Sequence, residues 1–361
     1  MPVSPAPGPA SLPAAPAELR RALLDWYDAA RRDLPWRAKP GETADPWAVL
    51  VSEIMLQQTT VATVGPRFLA FLARFPTAGA MAAAPLDDVL HAWQGLGYYR
   101  RARNLHSAAT AIAARPDSRL PASAAALAAL PGIGPYTAAA VAAIAFAEAV
   151  VPIDGNVARV LARLLAHPAP LTPTRAEFRP AAAALAHPDR AADLAQALME
   201  LGALVCTPRR PACEACPWAF ACRARAGGRQ AELPLRVGKP LRPTRYATAM
   251  LIADGGGRLC FRRRPETGLL AGLIELPTSV WRDRPFTGEA DLVANLPRAD
   301  WRALPGGVRH VFTHLALELV LVEGRPATPI EGGFFHHPDR LAELALPTLT
   351  KKLLRHAGIA V

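Results

Sequence analysis

The sequence predicts a multidomain protein: an all-α block carrying a metal-binding cysteine loop, followed by a C-terminal α+β domain. Three observations carry this. From about Leu19 to Ala203, segments of roughly ten to sixteen residues repeat apolar side chains at i, i+3, i+4 and i+7 between short Pro/Gly turns. Four of the 5 cysteines then fall in "CTPRRPACEACPWAFAC", Cys206 to Cys222. Beyond them the texture changes to strand-length apolar or alternating runs. A chain of 361 residues, 51% of them hydrophobic, suits two domains with a core each.

Taken in order, residues 1–18 are a Pro/Ala-rich stretch expected to be a disordered tail. It lacks a basic n-region followed by an apolar run, so it is no secretory signal. The helical domain is expected over 19–223, with "PAELRRALLDWYDAARR", "PWAVLVSEIMLQQTTVATV", "YRRARNLHSAATAIAARP" and "DRAADLAQALMELGAL" as helices and the cysteine loop at 206–222. The Ala-rich "TAAAVAAIAFAEAVVP" is broken by Glu148 and Pro152, which makes it a buried helix and not a membrane span. Residues 224–240 are basic and rich in Gly and Pro and are expected to be a linker. In 241–361, "RYATAMLIAD", "GRLCFRRRP" and "LALELVLVEG" are expected strands, with a "DGGG" turn between the first two and a helix from "LPTLTKKLLRHAG". Cys260, on one of these strands, is expected to be a small buried hydrophobe. The net charge of +11 and pI of about 10.1 call for a polyanionic partner, most often nucleic acid. A cytoplasmic, reducing compartment is expected, where clustered cysteines favour metal or catalysis over disulfides.

The thiols Cys206, Cys213, Cys216 and Cys222 are spaced C-x6-C-x2-C-x5-C. Four thiolates close a tetrahedral zinc site or hold the corners of an iron–sulfur cube. Zinc ribbons usually use two separated C-x2-C knuckles. The single pair here favours the cube, with zinc the alternative and disulfides a distant third. Arg209, Arg210, Arg223, Arg225 and Arg229 surround the loop with one acid, Glu214, which suits a rigid surface for phosphates.

"LPGIGPYTAAAVAAIAF" (Leu130 to Phe146) sets a Gly-x-Gly turn, Gly132 and Gly134, at the start of a helix. Such a turn lets backbone approach a ligand and points free N–H groups at an anion. With the cysteine loop and an aspartate about twenty residues on, it resembles the helix–hairpin–helix DNA glycosylase superfamily. "LPWR" (Leu34 to Arg37), "SEIMLQQT" (Ser52 to Thr59), "WQGLGYYRRARNLH" (Trp93 to His106) and "IDGNVARVLAR" (Ile153 to Arg163) narrow the resemblance to the adenine DNA glycosylases of the MutY family. It spans nearly everything after residue 18. It implies a helix–hairpin–helix glycosylase core, a [4Fe-4S] cluster on the four cysteines, and excision of adenine mispaired with 8-oxoguanine or guanine. The implied partner is double-stranded DNA containing A:8-oxoguanine or A:G, bound by a monomer with no membrane role.

Cleaving an N-glycosidic bond needs an acid for the leaving base and a carboxylate for the oxocarbenium-like cation. Glu53 lies off the apolar stripe of "PWAVLVSEIMLQQ", where a solvated glutamate is the plain reading; the resemblance makes it the acid that protonates adenine N7. Asp154 precedes a helix and reads as an N-cap; the resemblance adds stabilisation of the cation, with Asn156 helping to hold the site. A helix N-terminus would favour the ionised form of Asp154. Tyr136 stands where bifunctional relatives carry a Schiff-base lysine, which implies a monofunctional enzyme. The resemblance also puts Arg37, Gln58 and Thr59 at the DNA. It makes Leu96 and Tyr98 supports for base flipping, although Leu96 equally suits core packing.

The C-terminal domain resembles a Nudix fold whose acidic metal-binding helix is missing. Asp283, Glu289 and Asp291 do not restore that motif, so a recognition module is expected. "HVFTHLALEL" is similar to the family's Phe-Ser-His loop for 8-oxoguanine, here Phe312, Thr313 and His314. Two rivals stand beside this reading. One is a thymine or pyrimidine mismatch glycosylase of the same superfamily, and the other a non-catalytic DNA-binding iron–sulfur sensor.

Overall fold

The computed structural model describes residues 11–235, 238 and 241–361. Most of the expected tail (1–10), and 236, 237, 239 and 240 of the expected linker, lie outside the described residues. The chain divides into two compact units. The first is Met1–Ala83 with Asn104–Gly238, and the second Ala84–Arg103 with Lys239–Val361. The helical block drawn from sequence is therefore interrupted, because 84–103 groups with the C-terminal residues.

In the first unit, helix Pro16–Ala30 buries Leu19, Leu23 and Tyr27 against Leu161, Phe178, Leu198 and Trp218. The indole N–H of Trp218 donates to Leu19 O at 2.8 Å, which ties the cysteine loop to the first helix. Leu12 and Ala14 already pack on this core, so the described end of the expected tail is ordered structure. The long "PWAVLVSEIMLQQTTVATV" helix is in fact two, Pro46–Leu56 and Val61–Arg74. Gln58 takes a left-handed φ of 55°, which no α-helix continues through. Asp45 caps the first of the pair by accepting from Trp47 N at 2.9 Å, with Pro46 in its opening turn.

The hairpin opens helix Pro135–Phe146 as expected. Gly132 has φ +75°, and a Cβ there would sit 2.5 Å from the Asn104 Cβ. Its close approach is to a neighbouring side chain. At Gly134 a Cβ would meet nothing within 4 Å. After Cys222 the expected linker folds back instead. A short helix, Arg223–Ala226, is followed by turns that bury Leu233, whose carbonyl accepts from Arg163 Nε at 2.9 Å.

The second unit carries β1 (Thr244–Leu251), β2 (Leu259–Arg263), β3 (Ile274–Glu275), β4 (Arg302–Ala303), β5 (Val308–Val311), β6 (Ala316–Glu323) and β7 (Gly333–His336). β1 runs parallel to β6 along its length, and β4 and β5 pair β6 antiparallel on its other edge. β2 lies between β3 and β7 in a separate antiparallel sheet. Phe261, Leu319 and Leu353, the last from helix Thr348–His356, share one core. Cys260 is buried on β2, as expected. Asp283 is paired to Arg245, and Asp291 binds Arg282 and Thr287, so both acids are engaged in local structure.

Candidate active site and cluster loop

A cleft of about 1150 Å³ opens in the first unit, lined by Glu53, Gln58, Thr59, Gly132, Gly134, Tyr136, Asp154 and Asn156 among others. Two helix starts and one helix interior build it. Glu53 projects from Pro46–Leu56, a helix buried on almost every face, and is only 7% exposed. The solvated position suggested by its place off the apolar stripe is therefore wrong. Tyr136, in the first turn after the hairpin, donates its hydroxyl to Glu53 Oε2 at 2.7 Å and lies 3.3 Å from Met199 Sδ. Burial pushes the Glu53 carboxyl up to about 7; the Tyr136 hydrogen bond opposes this and the charge of Asp154 adds to it. Tyr136 itself is pushed well above its ordinary value by burial and by Glu53, so it keeps its proton.

Asp154 is the N-cap of helix Gly155–Leu164 and accepts from Val157 N at 2.7 Å. Its other oxygen accepts from Asn156 Nδ2 at 3.0 Å. Asn156 Oδ1 in turn accepts from Arg159 Nη2 at 2.9 Å, and Arg159 Nε donates to Cys206 O at 2.8 Å. The helix start does not win for Asp154. Burial raises its carboxyl despite these hydrogen bonds and the nearby Arg175 and Arg159.

Other expected contacts are redistributed. Arg37 lines the cleft. Its side chain is 7% exposed, donates to Glu200 Oε2 at 3.2 Å and lies over the Tyr27 ring. Glu200, absent from the sequence reading, is the anchor of this wall, and Arg32 Nε also donates to it at 2.7 Å. The two arginines hold its carboxyl down at about 2 against the cost of burial. The signal was available: one acid in the apolar run "ALMELGAL". Gln58 is exposed at the cleft edge, with Thr59 beside it.

In the second unit, Leu96 is 4% exposed and packs as core, whereas Tyr98 is 48% exposed with φ +47°. The Tyr98 hydroxyl lies 3.1 Å from Thr313 Oγ1 in the β5–β6 turn. Phe312 packs edge-on to His310 at 4.5 Å, and His314 is exposed.

Cys206, Cys213, Cys216 and Cys222 are free thiols around one cavity of about 30 Å³ that Arg163, Trp218 and Gln230 also line. Arg163 Nη1 donates to Cys206 Sγ at 3.3 Å. Burial pushes the Cys216 thiol up to about 11 and raises Cys213 and Cys222. Binding metal there must displace protons. Among the described residues no three His, Cys, Asp or Glu side chains are grouped to hold a single ion. Four cysteine thiols around one cavity are a donor set suited to an iron–sulfur cluster.

Residues 51–183 match the HhH-GPD superfamily base excision DNA repair proteins, 206–222 the iron-sulfur binding domain of endonuclease III, and 248–356 the NUDIX domain. A solved thermostable thymine-DNA glycosylase is similar at TM-score 0.53 and 26% identity, over 59% of this chain and 100% of its own. Fold and site together define a base-excision DNA glycosylase with an iron–sulfur cluster and a Nudix-like domain. The human adenine DNA glycosylase is 35% identical over 93% of this chain and 73% of its own length, and that of Mycolicibacterium smegmatis is 50% identical over 57% and 69%. The chain belongs to the adenine DNA glycosylase (MutY) family. No helix among the described residues is long and apolar enough to cross a membrane.

Proposed function

We propose that this chain excises adenine mispaired with 8-oxoguanine or guanine in duplex DNA, by hydrolysis and without strand cleavage. The observation that carries the reading is the buried Glu53 carboxyl, held near 7 beside Asp154 in one cleft. Glu53 is half protonated near neutrality and gives its proton to N7 of a flipped adenine. The C1′–N9 bond then breaks, and its electron pair leaves with the base. Asp154, fixed by Val157 N and Asn156, faces the developing cation. Water adds to C1′ and loses its proton. Tyr136 holds Glu53 and supplies no amine, and no lysine lines the cleft among the described residues. Gln58 and Thr59, at the cleft edge, contact the DNA around the flipped base, and Leu96 and Tyr98 support base flipping. Single-turnover assays on A:8-oxoguanine, A:G and T:G duplexes, with borohydride trapping, test this. Thymine release or a trapped adduct overturns it.

The cysteine loop takes a [4Fe-4S] cluster: four thiols line one cavity, and the loop is similar to the iron-sulfur binding domain of endonuclease III. Its role is to stiffen the Arg-rich loop, and no catalytic step passes through it. Protein purified anaerobically is expected to hold about four irons per chain, as a cube requires. Stoichiometric zinc or two irons contradicts it.

Thr313 reads the base opposite. Guanine N7 accepts a hydrogen bond, whereas 8-oxoguanine presents N7–H as a donor. The Thr313 hydroxyl, 3.1 Å from that of Tyr98, accepts that proton in this reading. Thr313→Val keeps the shape and removes the hydroxyl. It is expected to weaken binding to A:8-oxoguanine more than to A:G by several-fold, the worth of about 1 kcal/mol for one hydrogen bond. The ratio of the two affinities at one salt concentration is the measurement, since phosphate contacts move both together.

A further inference from the structure

The residues after Cys222 form a wall of the cluster cavity, and one of them has an unmet hydrogen-bonding group. Gln230 lines the same cavity as the four cysteines. Its Oε1 is fully buried and has no hydrogen-bond partner among the described residues. Its position is fixed from both sides. Arg229 N donates to Ala224 O at 2.8 Å, and Leu233, 1% exposed, is held by Arg163 through its carbonyl.

The other polar side chains on this wall are already engaged. Arg163 donates to the carbonyls of Leu233, Thr207 and Pro208 and to Cys206 Sγ. Arg225 donates to Ala219 O and to Glu214. A buried carbonyl oxygen left without a donor is costly. Turning the carboxamide by 180° exchanges its oxygen for NH2 with almost no change of shape. Thiolates and sulfides are all acceptors, so in a cluster-bearing cavity the NH2 is the end with a partner.

We propose that Gln230 is an outer hydrogen-bond donor to the iron–sulfur cluster, its carboxamide N–H bonding to a sulfur of the cluster or of its cysteines. Donors of this kind spread negative charge off sulfur, stabilise the more reduced state and raise the potential. The stretch that reads as a linker is thereby a tuning element of the cofactor.

The test uses the full-length holoprotein. Gln230→Leu removes the donor at similar size, and Gln230→Glu replaces it with a carboxylate of the same shape. Protein-film voltammetry is expected to give a lower midpoint potential in the leucine variant and a lower one still in the glutamate variant. Wild-type iron–sulfur stretching bands in resonance Raman spectra should shift between H2O and D2O, and that sensitivity should diminish in both variants. Unchanged potential and unchanged deuterium sensitivity overturn the proposal. If the leucine variant fails to assemble a cluster, the glutamate variant decides alone: an unaltered potential there overturns it equally.

Discussion

Glu53→Gln is expected to slow single-turnover adenine excision by about 10²–10⁴-fold, the usual worth of a general acid, while DNA binding stays within a few-fold of wild type. The amide keeps the volume and can still accept from Tyr136, so the variant loses only the proton donor. The same carboxyl predicts a pH profile. Since Glu53 titrates at about 7, the wild-type rate should fall as pH rises through that value, and the residual rate of Glu53→Gln should not follow it. Stability also falls with rising pH. The folded-state value lies above the ordinary 4.5, so ionisation opposes folding. Wild-type stability falls between pH 4.5 and about 7, by on the order of 3 kcal/mol at about 1.4 kcal/mol per pKa unit. Glu53→Gln carries no such penalty and should be more stable than wild type above pH 7, by urea or thermal unfolding. A near-normal excision rate in the variant removes Glu53 from the mechanism. A variant less stable than wild type at pH 8 refutes the electrostatic account.

What the sequence made legible follows from how local each interaction is. Asp154 as an N-cap was readable because its partner, Val157 N, lies three residues away. Helix Ala191–Leu204 and strands β1, β2 and β6 were readable from periodicity, which needs only neighbours. Glu53 was readable as a candidate only through the motif around it. Its burial depends on Tyr136 and the hairpin, 83 residues on, and no local pattern carries that. The pairing of Arg37 with Glu200 was not readable for the same reason, since the two are 163 residues apart. The break at Gln58 escaped because apolar spacing continues across it while the backbone does not. The stretch after Cys222 has linker composition, yet Leu233 packs and its carbonyl satisfies a buried arginine.

Glu200→Gln should be the most destabilising of the conservative changes in the cleft wall. Glu200 is 1% exposed and accepts from Arg32 and Arg37, and Arg37 is itself buried. Removing one partner of a buried pair leaves the other charge uncompensated, at a cost of about 3–5 kcal/mol. Linkage gives an independent check. The folded carboxyl sits at about 2, below its ordinary 4.5, so its contribution is complete above pH 4.5 and disappears as pH falls toward 2. Wild-type unfolding free energy should drop across that window by about 3 kcal/mol from this group, and the Gln variant should lack that component. Excision should slow as well, because the preceding residue, Met199, touches the Tyr136 hydroxyl that holds Glu53. The paired replacement Arg37→Met with Glu200→Leu separates charge from shape. It removes both buried charges and leaves only Arg32, 34% exposed, to turn toward water. If uncompensated charge is the cause, the double variant should recover most of the stability lost in Glu200→Gln, measured by urea unfolding at pH 7. If it is less stable than Glu200→Gln, the wall depends on the hydrogen bonds themselves, and the charge argument fails.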